Sequence, residues 1–213
     1  MLYDKTNLPE DLKMYLREIY SNEELNDVFY DCDIEIYDED AVKDFEDDEV
    51  WLDDLMGPGD SSYTNLKPFA RDGSGALWVL IDDKMIAYIG TEGECGFVAR
   101  NIHEFMNIVS VWGGYICDYW EKEILKNKDK FYEVMNDPDR LADYDFIESH
   151  KRVFKPFIEK HGFTKDIYEM ALAGMSVEPV FEVKATSDEY VDSEPLVRED
   201  LPAVRRSTRI RDI

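Results

Sequence analysis

The stretch Pro68-Phe69-Ala70-Arg71-Asp72-Gly73-Ser74-Gly75, followed by the apolar run Ala76-Leu77-Trp78-Val79-Leu80-Ile81, decides the fold of this chain. The Asp-Gly-Ser-Gly segment predicts a tight turn, because aspartate can accept hydrogen bonds from its own backbone and glycine permits a positive φ or a close backbone approach. The apolar run is continuous, whereas a half-exposed strand would alternate. It therefore predicts a strand that is buried on both faces.

A second strand and a loop follow this run. Asp82-Asp83 predicts a two-residue hairpin turn, and the chain returns as a strand from Lys84 to Ile89. Gly90 to Gly96 is interpreted as a glycine-punctuated link into Phe97-Val98-Ala99. The centre of the chain is therefore predicted to be an antiparallel sheet.

Capping signals predict helices on both sides of this sheet region. Asn7-Leu8-Pro9-Glu10 opens a helix that runs to about Tyr20, and Ser21 with Glu24 has the spacing of a capping box for a second, short helix. Asp33 to Tyr37 alternates polar and apolar residues, as a half-buried strand does. Asn101-Ile102-His103-Glu104 opens another helix, whose apolar residues are Ile102, Phe105, Met106 and Val109.

The C-terminal third is predicted to be helical and then to lose regular structure. Asp137-Pro138 predicts an N-cap for a helix that ends near His161, with Gly162 as its stop, and a further helix runs from Thr164 or Lys165 to Ala173. We divide the chain into an α+β domain over 1–130, a helical extension packed on it over 131–186, and a mobile tail over 187–213. The tail reverses the sign of the charge at its end, and it either stays in solvent or docks on the acidic body or another molecule. Its four basic residues are Arg205, Arg206, Arg209 and Arg211.

The formal net charge of −25 restricts the kinds of partner. Nucleic acids and anionic membranes are poor partners, because phosphate binding needs clustered lysine and arginine. A basic protein is a suitable partner, since opposite charge accelerates association, although an acidic surface can also serve solubility alone. The N-terminus lacks the features of a secretory signal, and three cysteines at unrelated spacings form no disulfide pattern, so a cytoplasmic location is expected.

The negative charge is concentrated between Asp31 and Asp54. This segment holds thirteen acidic residues and one lysine, a net charge of −12. It also contains apolar residues such as Phe45 and Leu52, so it is predicted to pack as a short helix that presents its carboxylates outward rather than to remain disordered. Trp51, which lies among the acids, is the best candidate for an exposed aromatic anchor.

Catalytic and metal chemistry find little support in the sequence. Cys95 or Cys117 could pair with a histidine, but no local signature of a cysteine hydrolase is present. Glu92, in Thr91-Glu92-Gly93-Glu94, is either a functional carboxylate or a cap for backbone donors in a glycine-rich turn. No His or Cys cluster has the spacing of metal ligands, and we predict no metal and no cofactor.

The central segment, from about Tyr63 to Val111, resembles the SUKH superfamily, which includes the fungal Smi/Knr-type proteins and many bacterial immunity proteins. The resemblance covers about a quarter of the chain firmly. It rests on Pro68, Phe69, Ala70, Asp72, Gly73, Ser74 and Gly75, on Glu92, Gly93 and Glu94, and on the helix signature from Val98-Ala99 through Asn101 to Phe105. We assign Phe69, Asp72, Gly73, Gly75 and Gly93 to the structural motif.

The resemblance implies an α+β fold, with a curved antiparallel sheet flanked on one side by helices and extended by the C-terminal helices. It also implies a non-enzymatic bacterial immunity protein that binds and neutralises a cognate toxin, and the acidic surface suits a basic, nuclease-type toxin. The alternatives are a cytoplasmic scaffold or regulatory adaptor of the Smi/Knr type and, last, a small-molecule or enzymatic role centred on Glu92 and Cys95. A homodimer is also possible. The predicted partner-binding residues are Asp44, Glu46, Asp47, Asp48, Glu49, Trp51, Asp53, Asp54, Glu92 and Glu94.

Overall fold

The structure is a computed structural model, and it describes residues 2–55, 63, 65–91, 94–114, 116, 122–137, 147–177, 181 and 194–195. Of 53–55, 122–123, 147–148 and 194–195 it describes the backbone. The described helices are a 3-10 turn Leu2–Lys5, α1 Glu10–Tyr20, α2 Glu23–Asp31, α3 Val42–Leu55, α4 Ile102–Trp112, α5 Lys122–Leu125, α6 Lys128–Met135, α7 Ile147–His161 and α8 Tyr168–Met175. The strands are β1 Glu35–Ile36, β2 Leu66–Arg71, β3 Leu77–Ile81, β4 Met85–Ile89, β5 Glu94–Ala99 and β6 Glu194–Pro195. The predicted α+β class is confirmed.

Strands β1 to β5 form an antiparallel sheet in chain order, and the short β6 pairs with β5 in parallel. Every residue of β3 and β4 is buried, which confirms the prediction from the apolar run. Trp78, Leu80, Ile86 and Tyr88 face the larger apolar cluster, which the helices complete. The side chains that alternate with them face a second cluster. The helices flank one face as expected, and the second face is covered as well, because apolar side chains on both faces require two covers.

The second cluster is covered by residues from distant parts of the chain. Leu52 of α3, Tyr63, Val177 and Phe181 are buried in it. The Tyr63 ring packs edge-on against Phe97, with ring centroids 5.1 Å apart, and Phe181 lies 5.6 Å from Phe97. Val177 and Phe181, which follow α8 in the sequence, thus lie on this face of the sheet.

The Asp72 turn joins β2 to β3 as predicted. Asp72 Oδ1 accepts hydrogen bonds from the backbone N–H groups of Ser74 and Ala76 and from the Ser74 hydroxyl, at 2.7 to 2.9 Å. Its Oδ2 accepts one from the Tyr88 hydroxyl at 2.6 Å. Gly75 adopts φ 92°, where a side chain would be strained. A single buried carboxylate therefore closes the turn and ties it to β4.

The other predicted turns and caps hold with some corrections. Asp82 and Asp83 both have positive φ, as the central residues of a type I′ turn do, but Ile81 pairs with Met85, so the loop has three residues rather than the predicted two. Asn101 caps α4 by accepting from the Glu104 N–H. The cap of α2 is Asn22 rather than Ser21, because Ser21 is the C-terminal cap of α1. The predicted strand over 33–37 shrinks to β1, since Asp33 turns the chain with φ 59°.

The C-terminal helices share the larger cluster with the N-terminal ones. Helix α7 ends at His161 as predicted, and Gly162 follows with φ 67°. At the seam with α1, Glu18 pairs with Lys160 at 2.7 Å and with His161 at 2.8 Å. The Tyr15 ring lies 6.1 Å from Phe157 and 4.8 Å from His161. Aromatic packing and ion pairs thus join α1 to α7.

Helix α8 packs against the backbone of β5 at Gly174. A Cβ on Gly174 would lie 2.1 Å from the Val98 carbonyl oxygen and 2.6 Å from the Val98 carbonyl carbon. Both are backbone atoms, which cannot rotate away as the end of a side chain can. The absence of a side chain at this position therefore sets the distance between the helix and the sheet.

We expect Gly174→Ala to lower the free energy of unfolding by about 3 kcal/mol, because the added methyl group overlaps the β5 backbone. Urea unfolding followed by circular dichroism measures this change. Helix propensity alone predicts the opposite sign, a gain of about 1 kcal/mol. A stabilised variant would contradict the close approach.

The pH dependence of Asp72 provides a second test. Burial acts to raise the pKa of Asp72, but the hydrogen bonds from Tyr88, Ser74 and Ala76 outweigh it and hold the pKa below its ordinary value. A depressed acid pKa stabilises the fold above the unfolded pKa of about 3.9, and this contribution is lost as pH falls through the folded pKa.

We expect Asp72→Asn to cost about 2 kcal/mol at pH 7, and the difference from the native chain to narrow below about pH 4. Free energies of unfolding in urea across this pH range check the prediction. Asp27→Asn, on the exposed side of α2, controls for the loss of one charge. If Asp72→Asn lowers the free energy of unfolding by the same amount at every pH, then protonation of Asp72 is not coupled to folding.

Candidate protein-binding surface

The acidic segment folds as α3, a helix of 14 residues that contacts β2. Asp38 orders the turn that precedes the helix, since its Oδ1 accepts hydrogen bonds from the backbone N–H groups of Asp40 and Ala41. Phe45 packs edge-on against Tyr37 in the larger cluster, whereas Leu52 belongs to the second cluster. The helix therefore contributes to the apolar cover on both faces of the sheet.

A buried polar network fixes α3 to β2. The Tyr37 hydroxyl donates to Asp48 Oδ2 at 2.6 Å. Arg71 Nη2 donates to Asp48 Oδ1 at 3.3 Å, and Arg71 Nε lies 2.9 Å from Asp48 Oδ2. Arg71 Nη1 also lies 3.7 Å from Asp44. The last side chain of β2 thus joins two carboxylates on one side of the helix.

The same network continues into the 3-10 turn. The Tyr3 hydroxyl donates to the Phe69 carbonyl at 2.7 Å and accepts from the Tyr37 N–H at 2.6 Å. Burial and the hydrogen bond to Asp48 raise the pKa of Tyr37, and burial raises that of Tyr3, so both phenols stay protonated. The segment Phe69 to Asp72 therefore anchors the N-terminus and α3 and also closes the turn.

The opposite side of α3 is exposed and acidic. Glu46, Asp47 and Glu49 are exposed, and Val50 among them is 60 % exposed. We call these four side chains the outer face of α3. Lys43 lies 3.7 Å from Asp47, but both side chains are exposed, and such a pair contributes little to stability. Asp44 lies beside this face and is half engaged by Arg71.

Two predicted partner-binding residues take structural roles instead. Asp48 is buried, and its carboxylate is bound by Tyr37 and Arg71, so it is not available to a partner. Trp51 is partly buried and packs against the second cluster, so it is not the exposed anchor that we predicted. Helix periodicity explains both, because residues 45, 48 and 52 lie on one helix face and residue 51 lies beside it.

The remaining predicted residues lie apart or outside the described region. Asp53 and Asp54 are in the last turn of α3, but their side chains lie outside the described part, as do Glu92 and Gly93 entirely. Glu94 begins β5, so the predicted loop to Gly96 is shorter than expected. Its half-buried side chain folds over Gly90, where a Cβ would meet it within 2.7 Å. Glu94 therefore lies on the sheet, apart from the acidic residues of α3.

Sequence analysis missed Tyr37, Arg71 and Val50. Arg71 lay within the fold-deciding stretch, but which carboxylates it would reach depends on how α3 docks. The sequence did contain a sign that Asp48 is buried, since Asp48 lies three residues after Phe45 and four before Leu52, on the same helix face. Val50 could have been found in the same way, as the apolar residue opposite the buried stripe.

Of the residues considered for catalysis, Cys117 and Glu92 lie outside the described part of the chain, and Cys95 lies on the opposite face of the sheet from the histidines. Cys95 is buried in the second cluster, where its thiol lies 3.4 Å from the Phe181 carbonyl oxygen. His103, His150 and His161 contact residues of the helical side, namely Tyr15, Asp31 and Glu18. In the described residues, acidic, histidine and cysteine side chains form no group that could hold a metal ion. None of the described helices is both long enough and apolar enough to span a bilayer.

Comparisons with known proteins add no family assignment. No family model matches the chain, and neither the curated proteins nor the solved structures include a significant match. The resemblance to the SUKH superfamily therefore stays a prediction that rests on the residues quoted for it.

We expect Asp48→Ala to lower the free energy of unfolding by about 3 kcal/mol, because the Arg71 guanidinium and the Tyr37 hydroxyl would lose a buried partner. Asp47→Ala, one residue away on the outer face, is the matched control, and its effect should stay within about 0.5 kcal/mol. Urea unfolding measures both variants. Equal effects would mean that Asp48 does not anchor the helix.

Proposed function

We propose that this protein is a non-enzymatic bacterial immunity protein that binds a basic, nuclease-type toxin through the outer face of α3. The observation that carries the proposal is the division of the helix. One side is fixed to the sheet by Asp48, Arg71 and apolar contacts, and the other presents Glu46, Asp47 and Glu49 to solvent.

Electrostatics supports a basic partner. The exposed carboxylates of Asp38 and Asp40 precede the helix and extend the negative surface. A nuclease must present lysine and arginine where it grips phosphate, so an acidic inhibitor can cover that site and be steered to it. Val50 supplies an apolar side chain among the charges, as a binding surface with some desolvated contact needs.

Rigidity also supports the proposal. A surface that is ordered before binding loses less conformational entropy on association than one that folds on binding. The buried Tyr37–Asp48–Arg71 contacts provide this order, since they involve side chains that would be costly to leave unpaired. The acids of the outer face are thus held in fixed positions relative to the sheet.

Charge reversal of the outer face tests the proposal. We expect E46K, D47K and E49K together to slow association with the toxin domain by more than about tenfold at low salt, because long-range attraction becomes repulsion. Stopped-flow fluorescence measures the rate, and the toxin domain is taken from the neighbouring gene, where the proposal expects it to be encoded. Co-expression with that domain, scored by growth, measures neutralisation.

The matched control changes the same number of charges elsewhere. Glu23 and Asp27 of α2 and Glu133 of α6 are exposed, so E23K, D27K and E133K shift the net charge equally. An equal slowing in both triple variants would show that net charge, rather than the outer face, drives association. Unchanged growth rescue by the α3 variant would remove this surface from the mechanism. Stable complexes with several other cellular proteins would favour the adaptor alternative.

A further inference from the structure

Residues 2–8, which we call the N-terminal strap, contact the sheet where one of its ladders ends. Strand β1 pairs with β2 through only two residues, Glu35 and Ile36. On the other side of β2, the register with β3 shifts after Pro68, so that Phe69 is the extra residue of a β-bulge. The extra residue of a bulge is left out of the ladder, and its backbone groups need other partners.

The side chain of Tyr3 supplies such a partner. Its hydroxyl donates to the Phe69 carbonyl at 2.7 Å and accepts a hydrogen bond from the Tyr37 N–H at 2.6 Å. Tyr37 and Phe69 would be the next opposed residues if the antiparallel ladder of β1 and β2 continued. The hydroxyl is therefore inserted between two backbone groups that a continued ladder would bring together.

Burial of Tyr3 and two lysine contacts hold the strap in place. The Tyr3 side chain is fully buried, and burial raises its pKa, so the hydroxyl stays protonated and can donate. Lys13 Nζ of α1 donates to the Thr6 carbonyl at 2.8 Å. Lys67 Nζ of β2 donates to the Asn7 carbonyl at 2.7 Å. The strap is therefore bound to the sheet and to α1 at several points.

Tyr37 connects the strap to α3. Its backbone N–H is bound by Tyr3, whereas its side chain points to the helix. The Tyr37 hydroxyl donates to Asp48 Oδ2 at 2.6 Å, and its ring packs edge-on against Phe45 with centroids 5.2 Å apart. A change in the position of the Tyr37 backbone therefore changes two contacts of α3.

We propose that the N-terminal strap is a latch for α3. The inserted Tyr3 hydroxyl ends β1 at Ile36 and holds Tyr37 where its side chain binds the helix. Without the hydroxyl, the Phe69 carbonyl and the Tyr37 N–H lose a buried partner, which is costly, and they are free to move toward each other. Release of the strap then lets α3 leave the sheet more often, as a local opening that does not require unfolding of the whole chain.

Amide hydrogen exchange of the full-length chain tests the latch. We expect Tyr3→Phe to accelerate exchange of the amides of residues 45–52 by about tenfold, because one buried hydrogen-bonded bridge is lost. The amides of residues 153–158 of α7 should keep their rates, which also shows that the chain stays folded. Unchanged exchange on α3, or acceleration that reaches α7 equally, would overturn the proposal.

Tyr15→Phe is the matched control. It also removes one phenol from a buried tyrosine, but the Tyr15 hydroxyl lies 2.9 Å from His103 Nδ1, on the helical side of the molecule. We expect this variant to leave exchange on α3 unchanged. If Tyr15→Phe accelerates α3 as much as Tyr3→Phe does, the effect is a general loss of stability, and the strap is not a latch.

A double variant tests whether Tyr3 acts through Tyr37. Tyr37→Phe removes the hydroxyl that binds Asp48 but keeps the N–H that Tyr3 binds. If both act in one path, Tyr3→Phe and Tyr37→Phe together accelerate exchange on α3 by about as much as the stronger single variant. Acceleration equal to the product of the single effects would show that Tyr3 does not act through Tyr37. These measurements need no toxin, so the latch and the proposed function are tested separately.

Discussion

The structure depends on one constraint, which is that β3 and β4 carry apolar side chains on both faces. A sheet of this kind is stable when both faces are shielded from water. The helices α1, α2, α4, α7 and α8 contribute to the larger cluster, which covers one face. The other face receives Leu52, Tyr63, Val177 and Phe181, which come from distant parts of the chain. The cover of the second face thus links the acidic helix to the C-terminal segment.

This constraint also determines how the charge is displayed. Helix α3 must place Phe45 and Leu52 against apolar clusters, so its remaining faces must carry the acids. Asp48, which falls on the buried side, is accommodated because Arg71 and Tyr37 bind its carboxylate. Removing either partner would leave a charge in a site with little water, and for that reason the contact specifies one orientation of the helix.

The same arrangement gives the proposed function its physical basis. An acidic surface attracts many cations, and a rigid one can discriminate among them by shape and spacing. This property follows from one helix whose inner side is fixed to the sheet and whose outer side is exposed.

The sequence by itself determined the local features of this protein. The apolar run predicted the buried strands, Asp72 and Asp82-Asp83 predicted the turns, and Asn101 predicted the start of α4, because each depends on interactions within a few residues. It also located the acidic helix. The sequence did not show that Trp51 packs inward. The spacing of Asp48 from Phe45 and Leu52, in contrast, already placed Asp48 on the buried side of the helix.

What the tertiary structure decided is which residues from distant parts of the chain meet. The pairing of Asp48 with Arg71, 23 residues later, required the docking of α3 on β2. The cover of the second face by Phe181 and the close contact of Gly174 with Val98 also depend on how distant segments pack. Local periodicity can place a side chain on the inner or outer side of an element. The identity of its partner is set by the packing of the whole chain.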